Sequence, residues 1–318
     1  MNNQKTHLHG FTGQSVDIEA FMDLLYSVDV ELPELLEDTN ENTYEIWWAV
    51  REGLFTEILA HNPQSIFEAF AQFDSFEKKH TLSAEKILTT KEGEESEKWY
   101  LTGKVNVLAN PQIPDEPLTY NLDTRLAAVK MFCNPEIETV IELGCGYGRR
   151  LIELFVILQR PDIHFIGTEY TSSGRRIFNM LSKHFFPTLH FSDDFVDHKL
   201  CNFPFINPDK NTLVFSCHSL EQVAQLPLDY FVKLAQSCRS ISGIHIEPFG
   251  FQAVAESQKT NDQKAHERET TEKGYNTNMI ECLKYAEKLG VLEIIHTEVD
   301  FNEEQKNNPS SWVAWKKK

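Results

Sequence analysis

Thr139-Val-Ile-Glu-Leu-Gly-Cys-Gly-Tyr-Gly-Arg-Arg150 begins as an apolar, β-branched strand, breaks at three glycines and opens a helix through Leu151, Ile152, Leu154 and Phe155. Gly144, Gly146 and Gly148 let the backbone turn tightly and approach a ligand closely. The helix start beyond them offers free N–H groups, which favour an anionic or polar ligand. A paired glycine alone says little, but one set directly after an apolar strand and before a helix has the context that a nucleotide-type binding turn requires.

Outward from that stretch, the next apolar strand ends in Ile166-Gly-Thr-Glu-Tyr170, and Glu169 lies 169 − 148 = 21 residues beyond the last glycine. In alternating βα sheets an acid about 20 residues on accepts the hydrogen bonds of a ribose diol, so an adenosine-containing cofactor is implied. A dinucleotide site would need glycine at position 149, where the chain has Arg149; the third glycine is Gly148 instead.

The rhythm around the motif supports a sheet with helices between its strands. A helix is expected over 123–132 and strands over 139–143, 164–168, 188–191, 212–216 and 243–247, which predicts an α/β fold with a doubly wound, mostly parallel sheet. A helix over 278–289, a strand over 292–299, a turn at Asn307-Asn308-Pro309 and a strand over 311–315 follow. Two strands so close in sequence suit a hairpin, which makes one of them antiparallel to the rest.

With Glu142 ahead of Gly144-Cys-Gly-Tyr-Gly148, the chain resembles the class I, Rossmann-like, S-adenosylmethionine-dependent methyltransferases over roughly 121–318. The resemblance implies seven strands in the order 3-2-1-4-5-7-6 with strand 7 antiparallel, S-adenosylmethionine as cofactor, S-adenosylhomocysteine as product, and an activity of the EC 2.1.1 type. By it, Glu142 would hold the region of the methionine ammonium, and Gly144, Cys145, Gly146, Tyr147 and Gly148 would line the amino-acid moiety. Glu169 would bind the ribose and Tyr170 flank the adenine. One of Asp193 and Asp194, in Phe191-Ser-Asp-Asp-Phe195, would reach the adenine amino group, the other capping a turn. Ser216 and Cys217, in Val214-Phe-Ser-Cys-His-Ser-Leu-Glu-Gln-Val223, would lie near the sulfonium.

Methyl transfer asks the protein to align a nucleophile and, for a hydroxyl or ammonium, to remove its proton. His218, expected at the carboxyl end of a central strand, is the first candidate base; the alternative is a contact to the cofactor or packing at the pocket rim. In Ile244-His-Ile-Glu-Pro-Phe-Gly-Phe251, alternation puts His245 and Glu247 on one face, with Glu247 nearer the mouth of the cleft as a candidate to orient substrate. No spacing supplies further metal ligands, so no metal is expected. Tyr275, Asn276 and Asn278, in Gly274-Tyr-Asn-Thr-Asn-Met279, are candidate substrate contacts, one asparagine serving as the cap of the following helix.

The acceptor class is read by elimination. An Asn/Asp-Pro-Pro-Tyr/Phe stretch and a Pro-Cys pair are absent, and the cysteines are not clustered. An O or N nucleophile on a small molecule remains. The alternatives are a protein-modifying methyltransferase that docks its partner through N-terminal helices, and a non-catalytic S-adenosylmethionine-binding protein.

The rest of the 318-residue chain narrows the setting. A net charge of −18, from 48 acidic and 30 basic residues, disfavours nucleic acid as a partner. Polar opening residues and the lack of a long apolar run predict a cytoplasmic protein that does not enter a membrane. Six scattered cysteines suggest reduced thiols. Helical spacing recurs over 17–79, as at Ile18, Phe21, Met22 and Leu25, at Trp47, Val50, Leu54 and Ile58, and at Phe67, Phe70 and Phe73, with Asn62-Pro63 as a helix start. A charged and proline-bearing stretch over 90–117 then sets a domain boundary near 118, giving a helical region over 1–118 and a cofactor-binding domain over 119–318. The helices would cover the pocket or form a homodimer around it.

Overall fold

A computed structural model describes residues 7–9, 15–17, 40–80, 123–301 and 309–318. Contacts divide the chain into one unit of residues 1–122 with 171–187 and another of 123–170 with 188–318. Residues 171–187, read from sequence as part of the C-terminal domain, group with residues 1–122.

The larger unit is built on a seven-stranded sheet. Its strands are β3 (Thr139–Leu143), β4 (His164–Glu169), β5 (Phe191–Phe195), β6 (Asn211–Cys217), β7 (Ser240–Glu247), β8 (Leu292–Glu298) and β9 (Ser311–Lys317), in the order β5-β4-β3-β6-β7-β9-β8. Counted along the sheet's own strands, this is 3-2-1-4-5-7-6. β3 pairs in parallel with β4 and β6, while β9 runs antiparallel to both β7 and β8. All five residues of β3 are buried, as its unbroken apolar run requires of an inner parallel strand. β5 lies at an edge and is only half-buried, so it need not be apolar. It runs over 191–195 rather than the expected 188–191, and Asp193 and Asp194 sit within it.

Helices α3 (Leu126–Phe132), α4 (Arg149–Leu158), α6 (Tyr230–Gln236), the short α7 (Gly250–Ala253), α8 (Asn261–Glu272) and α9 (Met279–Lys288) belong to the same unit. One core cluster joins Ile141, Val214, Tyr230, Phe231, Leu283 and Trp315. Gly243 makes room for Trp315, its register partner on β9: a Cβ there would lie 2.4 Å from the indole. All six cysteines are free thiols.

In the other unit, α1 (Asn40–Ala60) and α2 (Ile66–His80) join α5 (Ser172–Phe185), and β1 (His7–His9) pairs antiparallel with β2 (Ser15–Asp17). β2 ends where the sequence suggested a first helix, and the apolar positions at 18–25 lie outside the described residues, as does the stretch 90–117. The Phe55 ring stacks on Phe73 at 4.5 Å and meets Phe70 edge-on, so this aromatic stripe is packing. Asn62 does not cap α2. With φ 53° and its N–H on the Leu59 carbonyl, it closes α1, and Ser65 Oγ caps α2 by accepting the Glu68 N–H. At the start of α5, the Glu45 carboxylate accepts the N–H groups of Ser172 and Ser173 at 2.7 and 3.0 Å together with both serine hydroxyls, where the helix dipole favours negative charge. One turn on, Arg176 forms a two-pronged pair with Glu52 at 2.7 and 2.8 Å.

Among the described residues no helix is long and apolar enough to cross a membrane, and no group of three or more His, Cys, Asp or Glu is arranged to hold a metal ion.

Candidate functional site

The turn after β3 is stitched onto the end of β4. Gly144, Gly146 and Gly148 adopt φ of 74°, 55° and 76°, a region that side chains resist. The N–H groups of Gly144 and Cys145 both donate to the Thr168 carbonyl at 2.8 Å, and the Thr168 hydroxyl donates to the Glu142 carbonyl. The Gly146 N–H donates to Glu169 Oε2 at 2.8 Å. The glycine turn and the acid 21 residues beyond it, separate signals in the sequence, thus meet through a direct hydrogen bond. Gly144 must be glycine for a second reason, since a Cβ there would lie 2.4 Å from that of Ser219, whose hydroxyl donates to the Leu143 carbonyl.

Glu142 lies on β3 beneath this turn and has no exposed surface. Its Oε2 accepts the Leu151 N–H at 3.1 Å from the first turn of α4, whereas Oε1 is buried without a hydrogen-bond partner. Burial pushes the carboxyl up to about 8 against the opposing charge of Arg150, with Asp123 and Glu169 adding to the rise. Cys145 is buried beside the same acids, and desolvation followed by the charges of Glu142, Glu169 and Asp193 holds its thiol well above the usual range. Tyr147 accepts a long hydrogen bond of 3.4 Å from Arg149.

On the β4–β5 side, Tyr170 and Phe195 are each 40% exposed, and their rings lie 5.6 Å apart. Asp193 and Asp194 pair in register with Gly167 and Thr168, and Asp194 spends one oxygen on the Phe195 N–H at 2.7 Å. The crossover beyond β5 carries His198, whose Nε2 comes within 3.7 Å of where a Gly144 Cβ would sit and whose Nδ1 meets the Tyr230 hydroxyl at 2.8 Å. Burial lowers this imidazole to about 4, which keeps it neutral.

A second group of polar side chains is closed. The Trp315 indole donates to His245 Nε2 at 3.0 Å, which leaves the ring proton on Nδ1, facing Ser216 Oγ at 3.0 Å. Ser216 in turn donates to Glu247 Oε1 at 2.7 Å. Burial, then the charge of His198, lowers His245 to about 3, so it is neutral and every polar atom of the chain from indole to carboxylate has a partner. Glu247 also accepts the N–H groups of Ser219, Leu220 and Glu221, each at 3.2 Å, and thereby holds the turn that follows β6. Burial and the charge of Glu221 raise its carboxyl above the usual range, opposed by His218 and these hydrogen bonds.

That turn presents His218, which takes the left-handed φ of 56° and hydrogen-bonds through its N–H to the Ile246 carbonyl. Its Nδ1 lies 3.1 Å from Glu221 Oε2, and its Nε2 lies 2.8 Å from the hydroxyl of the fully buried Ser310. A carboxylate can only accept, so the ring proton sits on Nδ1 and Nε2 accepts from Ser310. Cys217, one residue earlier, is buried, and desolvation pushes its thiol up to about 12.

The segment over 275–278 turns its asparagines inward. Asn276 Oδ1 accepts the N–H groups of Asn278 and Met279 at the start of α9, and its amide donates to the Val223 carbonyl. Asn278 bonds both the N–H and the carbonyl of Leu226. Both side chains hold chain to chain: Asn278 is the N-cap residue of α9 without a side-chain bond to the helix, and Asn276 supplies the acceptor for the first helical N–H. Tyr275 is half-buried, with its N–H on the Thr270 carbonyl. Sequence reasoning missed Ser219, Glu221, Ser310, Arg125 and Arg150. Ser219, Glu221 and Arg150 lay inside stretches already singled out.

The order 3-2-1-4-5-7-6 with an antiparallel strand 7 is that of the class I S-adenosylmethionine-dependent methyltransferase fold. No family model and no curated protein matches the chain. Among solved structures, it is similar to the geranyl diphosphate C-methyltransferase from Streptomyces coelicolor A3(2), at 12% identity and a TM-score of 0.44 over 73% of this chain and 85% of that one. The magnesium protoporphyrin IX methyltransferase from Synechocystis PCC 6803 gives 13% identity and a TM-score of 0.43 over 62% and 82%. A Haloferax volcanii putative methyltransferase complexed with the Trm112 activator gives 13% and 0.43 over 60% and 88%. At such values the fold assignment stands on the strand order and register.

Proposed function

We propose that the chain is an S-adenosylmethionine-dependent methyltransferase that methylates an O or N nucleophile of a small molecule. The observation that carries this reading is the bond between the Gly146 N–H and the Glu169 carboxylate at the carboxyl ends of β3 and β4, in a sheet of this order. A ligand crevice in open α/β sheets lies at that end, where the strand order reverses.

The residues present fit the cofactor. Glu142 keeps a buried carboxylate oxygen without a partner, which an ammonium would satisfy, and the glycine turn leaves room for close approach. Glu169 would hold the ribose diol, Tyr170 and Phe195 the adenine face, and the acids of β5 the adenine amino group. Ser216, whose hydroxyl is engaged by Glu247, would support the turn under the reacting centre rather than touch it. When bound, S-adenosylmethionine supplies a methyl group already activated on sulfur.

His218 would then receive the acceptor's proton at Nε2. Glu221 keeps the other ring nitrogen protonated and steadies the positive charge that forms, while the Ser310 hydroxyl occupies Nε2 until the acceptor displaces it. Glu247 acts as a positioning residue, through the backbone of Ser219, Leu220 and Glu221.

Calorimetric titration with S-adenosylmethionine, S-adenosylhomocysteine and NAD separates the cofactor classes: binding of the two sulfur compounds alone is expected, and preference for NAD overturns the reading. A screen of small hydroxyl and amine acceptors with methyl-labelled cofactor tests the substrate class. His218→Ala is expected to lower turnover by about two orders of magnitude or more with cofactor affinity unchanged; near-normal turnover removes His218 as the base.

A further inference from the structure

Serine, histidine and glutamate meet twice at the carboxyl ends of β6 and β7, and the order of their bonds differs. In the closed network Ser216 stands in the middle: it donates to Glu247 Oε1 at 2.7 Å and faces the protonated Nδ1 of His245 at 3.0 Å. Its hydroxyl proton points at a carboxylate, and the Trp315 indole takes the far nitrogen of His245, so no base is open to it. The other group runs from acid to imidazole to hydroxyl. Glu221 Oε2 accepts from His218 Nδ1 at 3.1 Å, and His218 Nε2 accepts the Ser310 hydroxyl at 2.8 Å. The Gln222 amide donates to Glu221 Oε1 at 2.9 Å and so fixes the carboxylate.

Only the second order activates a serine. The acid sets the tautomer and steadies the charged ring, and the ring takes the proton as the serine oxygen attacks. His218 and Glu221 come from the turn after β6, and Ser310 is the residue before β9, whose first residue, Ser311, pairs in register with Glu247 at the end of β7. The three therefore lie at the carboxyl ends of the strands, where open α/β sheets place ligands. His218 is held there in left-handed backbone, a conformation that persists in a residue with a side chain only where its surroundings fix it.

We infer that Ser310 is a nucleophile activated by His218, with Glu221 as the positioning residue, and that the chain cleaves esters of short acyl groups. Ser310 has no exposed surface while the His218 side chain keeps 15%, so the ester arrives past the imidazole and its acyl group must be small. Ser310 Oγ bonds to the acyl carbon as its proton passes to His218 Nε2. The carbon–oxygen bond to the alcohol breaks, and the leaving oxygen takes the electron pair and then that proton. Water next bonds to the acyl carbon and gives a proton to Nε2. The bond to Oγ breaks, Oγ takes the pair and the proton, and the acid departs. This site is independent of the cofactor reading and shares only His218 with it.

The probe is p-nitrophenyl acetate, given to the whole chain with no adenosine compound present. The wild type is expected to release a burst of about one nitrophenolate per chain and to carry the acetyl group on Ser310, mapped by mass spectrometry after an acid quench. Ser310→Ala and His218→Gln should each lower the rate about a thousandfold, and the double variant no further, because the residues act as a unit. Glu221→Gln presents an amide to Nδ1 and should lower the rate about a hundredfold, with the adduct still on Ser310. Mapping the adduct on the wild type requires no variant to fold. Absence of a burst, an adduct on another residue, acetylation of Ser310 that survives unfolding in urea, or a Ser310→Ala variant as fast as wild type overturns the assignment. None of these results bears on whether the chain binds S-adenosylmethionine.

Discussion

Glu142 and Glu247 are both fully buried acids at the same end of one sheet, the first on β3 and the second on β7, yet they are used in opposite ways. Glu247 spends its oxygens on a serine hydroxyl and three backbone N–H groups, and the chain of partners continues through His245 to Trp315. Glu142 accepts one N–H and leaves its other oxygen bare. A buried polar atom without a partner costs free energy, so it persists where something other than the fold makes use of it. By this difference the β6–β7 end is a closed network, and the β3–β4 end keeps an acceptor that the proposed cofactor would meet.

The sharpest way to break the comparison is to remove Glu247. Glu247→Ala strips the acceptor from four donors, and a loss of about 3–5 kcal/mol is expected from leaving them unmet. Urea unfolding measures it, and a variant as stable as wild type would mean that the network is incidental.

Acid should attack the same support through its imidazole. His245 titrates near 3 when folded, below its ordinary 6.5, so the stability it confers is complete above pH 6.5 and is lost as pH falls toward 3. The slope is about 1.4 kcal/mol per pH unit. Unfolding curves recorded between pH 6.5 and 4 should flatten by that amount in His245→Gln. An unchanged slope would assign the acid loss elsewhere.

At the β3–β4 end, on the proposed function, the losses should appear in affinity. Glu169→Ala removes the carboxylate that the proposed site would offer to the ribose and is expected to weaken S-adenosylhomocysteine binding about a hundredfold with the protein still folded, since bonds to a charged acceptor contribute about 1.5–3 kcal/mol. Unaltered affinity would sink the ribose assignment.

The smallest expected effect on affinity is at Glu142 itself, and the sign of its pH dependence is opposite to that of the histidine. With a folded value of about 8, above the ordinary 4.5, Glu142 adds stability below pH 4.5 that is lost as pH rises toward 8. The groups acting on it are Arg150, which opposes the rise, and Asp123 and Glu169, which add to it. The unliganded protein should therefore melt lower at pH 8 than this group allows at pH 6. Glu142→Gln should remove that dependence and weaken cofactor binding about tenfold, the cost of one charge-assisted contact. A variant that instead unfolds would make Glu142 a second Glu247.

What could be read from the sequence divides along the same line. The glycine turn and Glu169 were legible because both signals are local, a strand end and a fixed spacing along the chain. The strand order followed from the family resemblance and was met. β5 was misplaced because an edge strand is half-exposed and carries Asp193 and Asp194 where an apolar run was sought. Asn62 misled because asparagine suits the left-handed close of one helix as well as the start of the next. Ser310 on His218, Asp123 between Arg125 and Arg150, and Glu45 on α5 join residues far apart in sequence or depend on side-chain direction, and no spacing rule announces them.

The Glu45 clasp bears on modularity. Because α5 belongs to the unit of α1 and α2 while its chain neighbours β4 and β5 belong to the sheet, the chain passes from one unit to the other and back within a single crossover. The N-terminal region is then no detachable module: a recombinant that swapped residues 1–122 for another sequence would strand a helix whose first N–H groups and Arg176 were fitted to Glu45 and Glu52. Any graft that works must carry residues 171–187 along with the N-terminal helices, as a discontinuous cassette.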